Sequence, residues 1–168
     1  MNGLECLFEE FDIILPVAVY FPMGVENQYN SFHRKEDFDL MKKVVCELYP
    51  DYRASLDNVS NRTDCYCYNM FITRKEVFCG YMEWLFPILF ELENRINIPY
   101  NDSYQRRVFG FLAERLLNVY VDYQSLKVKQ LPIIYLADEK ECLKDVYKKT
   151  KLKKAFRKMK YKLRNLIK

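Results

Sequence analysis

One histidine, four glycines and one tryptophan in 168 residues leave several kinds of chemistry without the side chains they need. A Cys/His metal site is not expected, because the six cysteines are irregularly spaced and Cys65-Tyr66-Cys67 is too tight for a zinc knuckle. The glycines form neither a phosphate-binding loop nor a dinucleotide fingerprint. No serine or cysteine stands in a triad context, so nucleophilic hydrolysis has no support. No run approaches the ~20 apolar residues that span a bilayer. The start carries Glu5, Glu9 and Glu10 in place of a basic region, and Pro16 interrupts the apolar run 13–21, so no signal peptide is expected. The cysteines then read as reduced thiols of a cytosolic protein.

What is present is aromatic and unevenly charged. Hydrophobic residues make up 50% and charged residues 30%, a globular composition. Fourteen tyrosines and twelve phenylalanines suit either a polar ligand groove, where a ring stacks and a hydroxyl bonds, or core packing. The net charge of +4 hides a split: residues 146–168 hold 11 basic side chains and no acidic one, while the rest holds 16 basic against 23 acidic. In that tail Leu152, Phe156, Met159, Leu163 and Leu166 recur at helical spacing, and lysine or arginine fills the other faces. A basic amphipathic helix of this kind suits an anionic membrane surface, with Lys153, Phe156, Arg157, Lys160 and Leu163 as contacts. The same stripe also suits docking on the domain. Nucleic acid is the weaker partner, since no stacking aromatics are interleaved.

Along the chain, residues 11–15 read as a buried strand ended by Pro16, with 17–21 as an extended continuation. Pro22, Gly24, Asn27 and Asn30 mark a loop to about residue 34. Residues 37–48 read as a helix and 50–58 as a short one started by Pro50. Residues 66–73 read as a central strand. Residues 74–96 form the longest helical pattern, which Pro87 should kink or split. Residues 104–123 are strongly helical, 126–136 read as an edge strand containing Pro132, and 138–148 as a helix. The pattern predicts an α/β protein, helix-rich in its visible part, with a domain over 1–137 and a basic helical tail over 138–168.

Three groups could carry chemistry. At 100° per residue, Arg107, Glu114 and Asn118 share one stripe of the 104–123 helix, with Gly110 beside it. Glycine in a helix costs ~1 kcal/mol against alanine, so a close approach by another backbone or by a ligand is expected there. Arginine can hold phosphate or carboxylate, and glutamate can take a hydroxyl proton; the alternative is a surface ion pair and a helix crossing. Asn69 is an amide in an apolar strand pattern, satisfied either by the fold or by a substrate hydroxyl. The segment Gln28-Tyr29-Asn30-Ser31-Phe32-His33 mixes amide, phenol and imidazole as carbohydrate contacts do, or is plain surface. Asp37-Phe38-Asp39 has metal-motif spacing but enters a helix, which argues for a helix-start charge cluster instead.

Several of these stretches resemble one family. They are Asn69-Met70-Phe71-Ile72, the run from Tyr81 to Glu93, and Arg107-Val108-Phe109-Gly110-Phe111-Leu112-Ala113-Glu114-Arg115-Leu116-Leu117-Asn118-Val119. Asp12-Ile13-Ile14-Leu15-Pro16, Gln28-Tyr29 with His33, and Tyr49-Pro50 add to the likeness, which covers roughly residues 8–135. The chain is similar to a bacterial glycosyltransferase family of capsule, exopolysaccharide and lipopolysaccharide synthesis. That family was long catalogued as a domain of unknown function, and some of its members are galactofuranosyltransferase-like.

The resemblance implies a GT-A-like fold, a nucleotide-sugar donor and a glycan or lipid-linked acceptor. It implies Glu114 as general base, and Arg107, Arg115, Asn69, His33, Tyr29, Gln28 and Asn118 as substrate-binding residues. It implies no metal ligand in this chain, although a divalent cation accompanies nucleotide-sugars in many such enzymes. The family's amino-terminal half, with the nucleotide pocket, has no counterpart before Phe11. The expectation is therefore a carboxyl-terminal part with an incomplete sheet: a truncated gene product, half of a split gene completed by a separate chain, or a non-catalytic, membrane-associated remnant or interaction module. A peripheral place on the inner face of the cytoplasmic membrane follows from the tail.

Overall fold

The computed structural model describes residues 3–98 and 103–134. The tail, and with it the boundary at 137, lies outside the described residues.

The chain forms a mixed, helix-rich α/β structure with two small sheets. Its helices are α1 (Gly3–Glu10), α2 (Val25–Phe32), α3 (Lys35–Leu48), α4 (Arg53–Asn61), α5 (Lys75–Arg95) and α6 (Val108–Tyr123). Short 3-10 turns at Pro50–Tyr52 and Gln105–Arg107 lead into α4 and α6. The strands are β1 (Ile13–Pro16), β2 (Val19–Tyr20), β3 (Asp64–Cys65), β4 (Ile72–Thr73) and β5 (Val128–Leu131).

β1 is the middle strand of a three-stranded sheet, antiparallel to β4 and parallel to β5, with Ile13 opposite both Thr73 and Val128. All four β1 residues are buried, as a strand covered on both faces requires. Asp12 locks both neighbours: its carbonyl accepts from the Thr73 hydroxyl at 2.6 Å, and its carboxylate accepts from the Lys127 amide at 2.8 Å. β2 and β3 form a separate antiparallel pair.

α6 is the central helix. Every residue from Arg115 to Val121 is buried, so the helix is covered almost all round, and α4 and α5 flank it. Leu112, Leu116 and Leu117 pack there with Ile88 and Leu92 of α5 and Leu56 of α4. Each such side chain contributes about 1.5–3 kcal/mol on full burial. Tyrosines are used mainly as core: Tyr52, Tyr81 and Tyr120 surround Trp84 with ring centroids 4.8–6.4 Å away.

Three segments differ from the sequence reading. Residues 25–32 are helical, not a loop. Val25 and Tyr29, one turn apart, are fully buried, and Lys42 of α3 clamps Glu26 at 2.8 Å, so tertiary packing stabilises a helix too short to persist alone. Residues 66–73 are not a central strand: only Ile72–Thr73 pair, at an edge, because Tyr68 (φ 83°) and Asn69 (φ 49°) adopt left-handed backbone. α5 runs unbroken through Pro87, which lies on its exposed face, where water can satisfy the carbonyl that the missing N–H leaves free. In addition α1, which the sequence reading did not assign, precedes β1.

Candidate functional site

Side chains of α2 reach α6 at Arg115, and the irregular segment 66–71 is tied to α6 through Tyr66 and Asn69. Arg115 is only 3% exposed. An isolated buried guanidinium would be very costly, so its partners define the site. One terminal nitrogen donates to Gln28 Oε1 at 2.7 Å. The other donates to Glu114 Oε2 at 2.9 Å and to the Phe111 carbonyl at 3.1 Å. Its plane stands 5.4 Å above the Tyr29 ring. Arg115 Nε is buried with no hydrogen-bond partner among the described residues. Four positions named from the sequence, Gln28, Tyr29, Glu114 and Arg115, thus form one cluster.

Tyr29 and His33 extend it along α2. Burial raises the Tyr29 phenol above its ordinary range, and Asp37 raises it further, while Arg115 and Arg34 oppose this. Its hydroxyl has no hydrogen-bond partner among the described residues. The His33 ring lies 4.6 Å from Tyr29, 4.1 Å from Phe111 and 5.4 Å from Tyr104. Burial lowers the imidazole to about 4, with a contribution from the Arg115 charge and a smaller opposing one from Gln105. His33 is therefore neutral at pH 7 and serves as a hydrogen-bonding and packing group rather than a cation.

Glu114 is paired with its neighbour rather than free. Its side chain keeps 20% exposure, and Oε1 accepts no hydrogen bond among the described residues, so one oxygen remains available at the surface. The stripe of Arg107, Glu114 and Asn118 does not hold together as one edge. Arg107 is exposed, with its guanidinium 5.4 Å from the Phe111 ring. Asn118 is fully buried, and its amide is fully used. Oδ1 accepts from Arg62 at 2.5 Å and from the Tyr66 amide at 2.8 Å; Nδ2 donates to the Tyr66 carbonyl at 2.9 Å and to the Glu114 carbonyl at 2.6 Å. With all four capacities taken, Asn118 braces the site and has nothing left for a substrate.

Asn69 also differs from expectation. It is exposed, not buried, and its amide donates to the Gly110 carbonyl at 3.0 Å, which ties segment 66–71 to α6. Gly110 itself is exposed, and a Cβ there would meet nothing within 4 Å among the described residues. A cavity of about 670 Å³ lies farther along, beside Ile96, Asn97, Ile98 and Arg106; Glu114 and Asn118 do not line it. Asp37 and Asp39 sit in the first turns of α3, with Asp37 buried beside Arg34 and Asp39 paired to Lys35 and Lys42. Among the described residues no group of three or more His, Cys, Asp or Glu could hold a metal ion.

Two supporting residues were not found from sequence. Arg62 joins Asn118 to the Asp64 carbonyl and lies near Asp122. Gln130 of β5 links the Ala18 amide to the Tyr66 hydroxyl. Arg62 stands in a polar turn and Gln130 at a strand edge, positions that carry no periodic signal; only folding brings them to Tyr66.

The family described as a domain of unknown function (DUF4422) matches residues 1–125. No curated protein matches the chain. Among solved structures, the apo structure of the WbbM bifunctional glycosyltransferase is similar, with a TM-score of 0.72 and 31% sequence identity. The similarity covers 77% of this chain and 25% of that one, so the chain spans about a quarter of that structure's length.

Proposed function

This chain belongs to the DUF4422 family, a glycosyltransferase-like family, and from that premise we propose that it serves in the transfer of a sugar from a nucleotide-sugar to a glycan or lipid-linked acceptor. The observation that carries this reading is the likeness to the WbbM bifunctional glycosyltransferase at 31% identity. Capsule, exopolysaccharide or lipopolysaccharide synthesis is the setting we propose. A GT-A-like arrangement completed by further sequence, in the same or a separate chain, is part of the proposal.

In this reading the Arg115 cluster is the acceptor-side wall of the site. The acceptor hydroxyl approaches the outward oxygen of Glu114. As its oxygen bonds to the anomeric carbon of the donor, its proton passes to that carboxylate and the carbon–oxygen bond to the diphosphate breaks. Arg107 is exposed one turn before Gly110 and would offset charge on the departing diphosphate. Arg115 orients Glu114, while Gln28 and Tyr29 hold Arg115 from the far side. Asn69 fixes the loop that borders the acceptor. Lys153, Phe156, Arg157, Lys160 and Leu163 would hold the tail on an anionic membrane surface, on the cytoplasmic face.

A second reading is favoured by one observation: the Glu114 carboxylate is already engaged by Arg115. A non-catalytic, membrane-associated module would keep that pair as structure only. Calorimetry of the chain with uridine-diphosphate sugars separates the two. Saturable heat, reduced by Arg107→Ala, is expected for the transferase. Absence of heat with every such sugar, from the chain alone and together with the completing sequence, would remove it in favour of the module.

A further inference from the structure

α5 is apolar on two faces, and the described fold covers one of them. Tyr81, Trp84, Leu85, Ile88 and Leu92 are buried in the core. A second row, Phe78, Met82, Phe86 and Phe90, repeats every four residues, which sets each member above the last along the helix surface. Phe78 is 44%, Phe86 46% and Phe90 59% exposed, and the Phe86 and Phe90 rings stack with centroids 5.8 Å apart. Single exposed apolar side chains are ordinary, but a contiguous row along about 18 Å of helix marks a surface that something covers. The row is also bordered by acid. Glu76, Glu83 and Glu93 are exposed and form no ion pair among the described residues. Of the two cations on α5, Arg95 is tied to Glu47 and Glu91, and Lys75 stands at the start of the row.

We propose that this row is the seat of the chain's own basic tail, residues 150–168, packed as an amphipathic helix against α5. The proposal stands apart from the transferase reading. The tail lies outside the described residues, and its sequence supplies the match. Leu152, Phe156, Met159, Leu163 and Leu166 make an apolar stripe about 21 Å long at helical rise, against about 18 Å from Phe78 to Phe90. Every charged side chain from 146 to 168 is basic, and the border of the row is acidic. A second copy of α5 would instead set acid against acid. The tail also starts close by. β5 and β4 lie two strand positions apart in one sheet, about 10 Å, and α5 begins directly after β4. The stretch between Ile134 and Leu152 spans about 60 Å when extended and about 35 Å with the expected 138–148 helix formed, longer than α5 itself at about 31 Å. The stripe of the tail cannot face α5 and a membrane at once, so docking is its state away from an anionic surface.

Hydrogen exchange of the full chain without membranes, read by mass spectrometry over residues 151–166, is the test. A lone helix of this length is marginal in water and exchanges fast, whereas a docked one is protected. The wild-type amides should exchange at least tenfold more slowly than those of the double variant Phe86→Asp, Phe90→Asp. Both rings are exposed on α5, so that variant should keep its melting temperature within a few degrees. The double variant Glu83→Lys, Glu93→Lys keeps the apolar row and reverses the charge beside it. It should lose protection severalfold, and it decides the matter if the aspartate variant fails to fold. A wild-type tail that exchanges at unprotected rates overturns the proposal, as does protection retained in either folded variant. Protection that rises with chain concentration, with a dimer in sedimentation, gives the row to a second copy and overturns it as well.

Discussion

Asn118 offers the sharpest test of how the site is held, because its side chain can be traced to every partner. Asn118→Ala removes two donors and two acceptor contacts from a fully buried position. The Glu114 carbonyl is least affected, since it lies inside α6 and retains its helical partner. The Tyr66 N–H and C=O lose their side-chain partner, and each buried backbone group left unpaired costs about 1–3 kcal/mol. Arg62 loses an acceptor, but at 22% side-chain exposure water can replace it at small cost. The expected loss is therefore about 2–6 kcal/mol. With a urea slope of about 2 kcal/mol/M, the midpoint should fall by roughly 1–3 M without a change in slope. Asn118→Asp keeps the Arg62 contact, now charge-assisted, but accepts where Tyr66 also accepts, and should recover little of the loss. Urea unfolding followed by tyrosine and tryptophan fluorescence measures all three chains. A loss below about 1 kcal/mol for Asn118→Ala would mean that Tyr66 finds water or another partner, and the bracing role would be refuted.

Four further outcomes follow from the geometry. Gly80→Ala should destabilise by about 1–3 kcal/mol, because the new methyl meets the Tyr120 hydroxyl at 2.8 Å; thermal unfolding reads this. Arg115→Lys should cost about 2 kcal/mol or more of stability, since one ammonium cannot reach Gln28, Glu114 and the Phe111 carbonyl together; urea unfolding checks this. His33, lowered to about 4 in the fold from 6.5, binds fewer protons folded than unfolded between these values, so stability should fall as pH drops from 6.5 to 4. For a partly solvated ring this amounts to about 1 kcal/mol, and His33→Phe should flatten that part of the pH–stability curve. Deleting residues 150–168 should abolish co-sedimentation with anionic vesicles while leaving neutral vesicles unbound as before.

The long helices were legible in the sequence because their periodicity is strong. Residues 37–48, 74–96 and 104–123 carry helical apolar spacing that is visible without knowledge of the partner, and α3, α5 and α6 form within those ranges or within two residues of them. β1 was legible for the same reason: an unbroken apolar run bounded by Pro16 can only be a covered strand or a short buried helix. α2 was not, because its asparagines, glutamine and serine have weak helix preference and its two core anchors matter only once α3 and α6 are in place. Segment 66–73 misled for the opposite reason. Its β-rich composition promised a strand, but Asn118 captures the Tyr66 backbone and the chain then turns left-handed at Tyr68 and Asn69.

The candidate site divides in the same way. The sequence by itself determined that Glu114, Arg115 and Asn118 ride on one helix with a glycine in it at 110, since these are matters of spacing along a single chain segment; Arg107, expected on the same helix, lies in the 3-10 turn that leads into it. Tertiary structure alone decided their duties. It placed Gln28 and Tyr29 against Arg115, turned Asn118 inward as a brace, and brought Asn69 to the surface over Gly110. The physical reason is that burial and hydrogen-bond partnership depend on residues 41 to 87 positions apart, and no local pattern encodes which distant group will be present to satisfy a buried charge or amide.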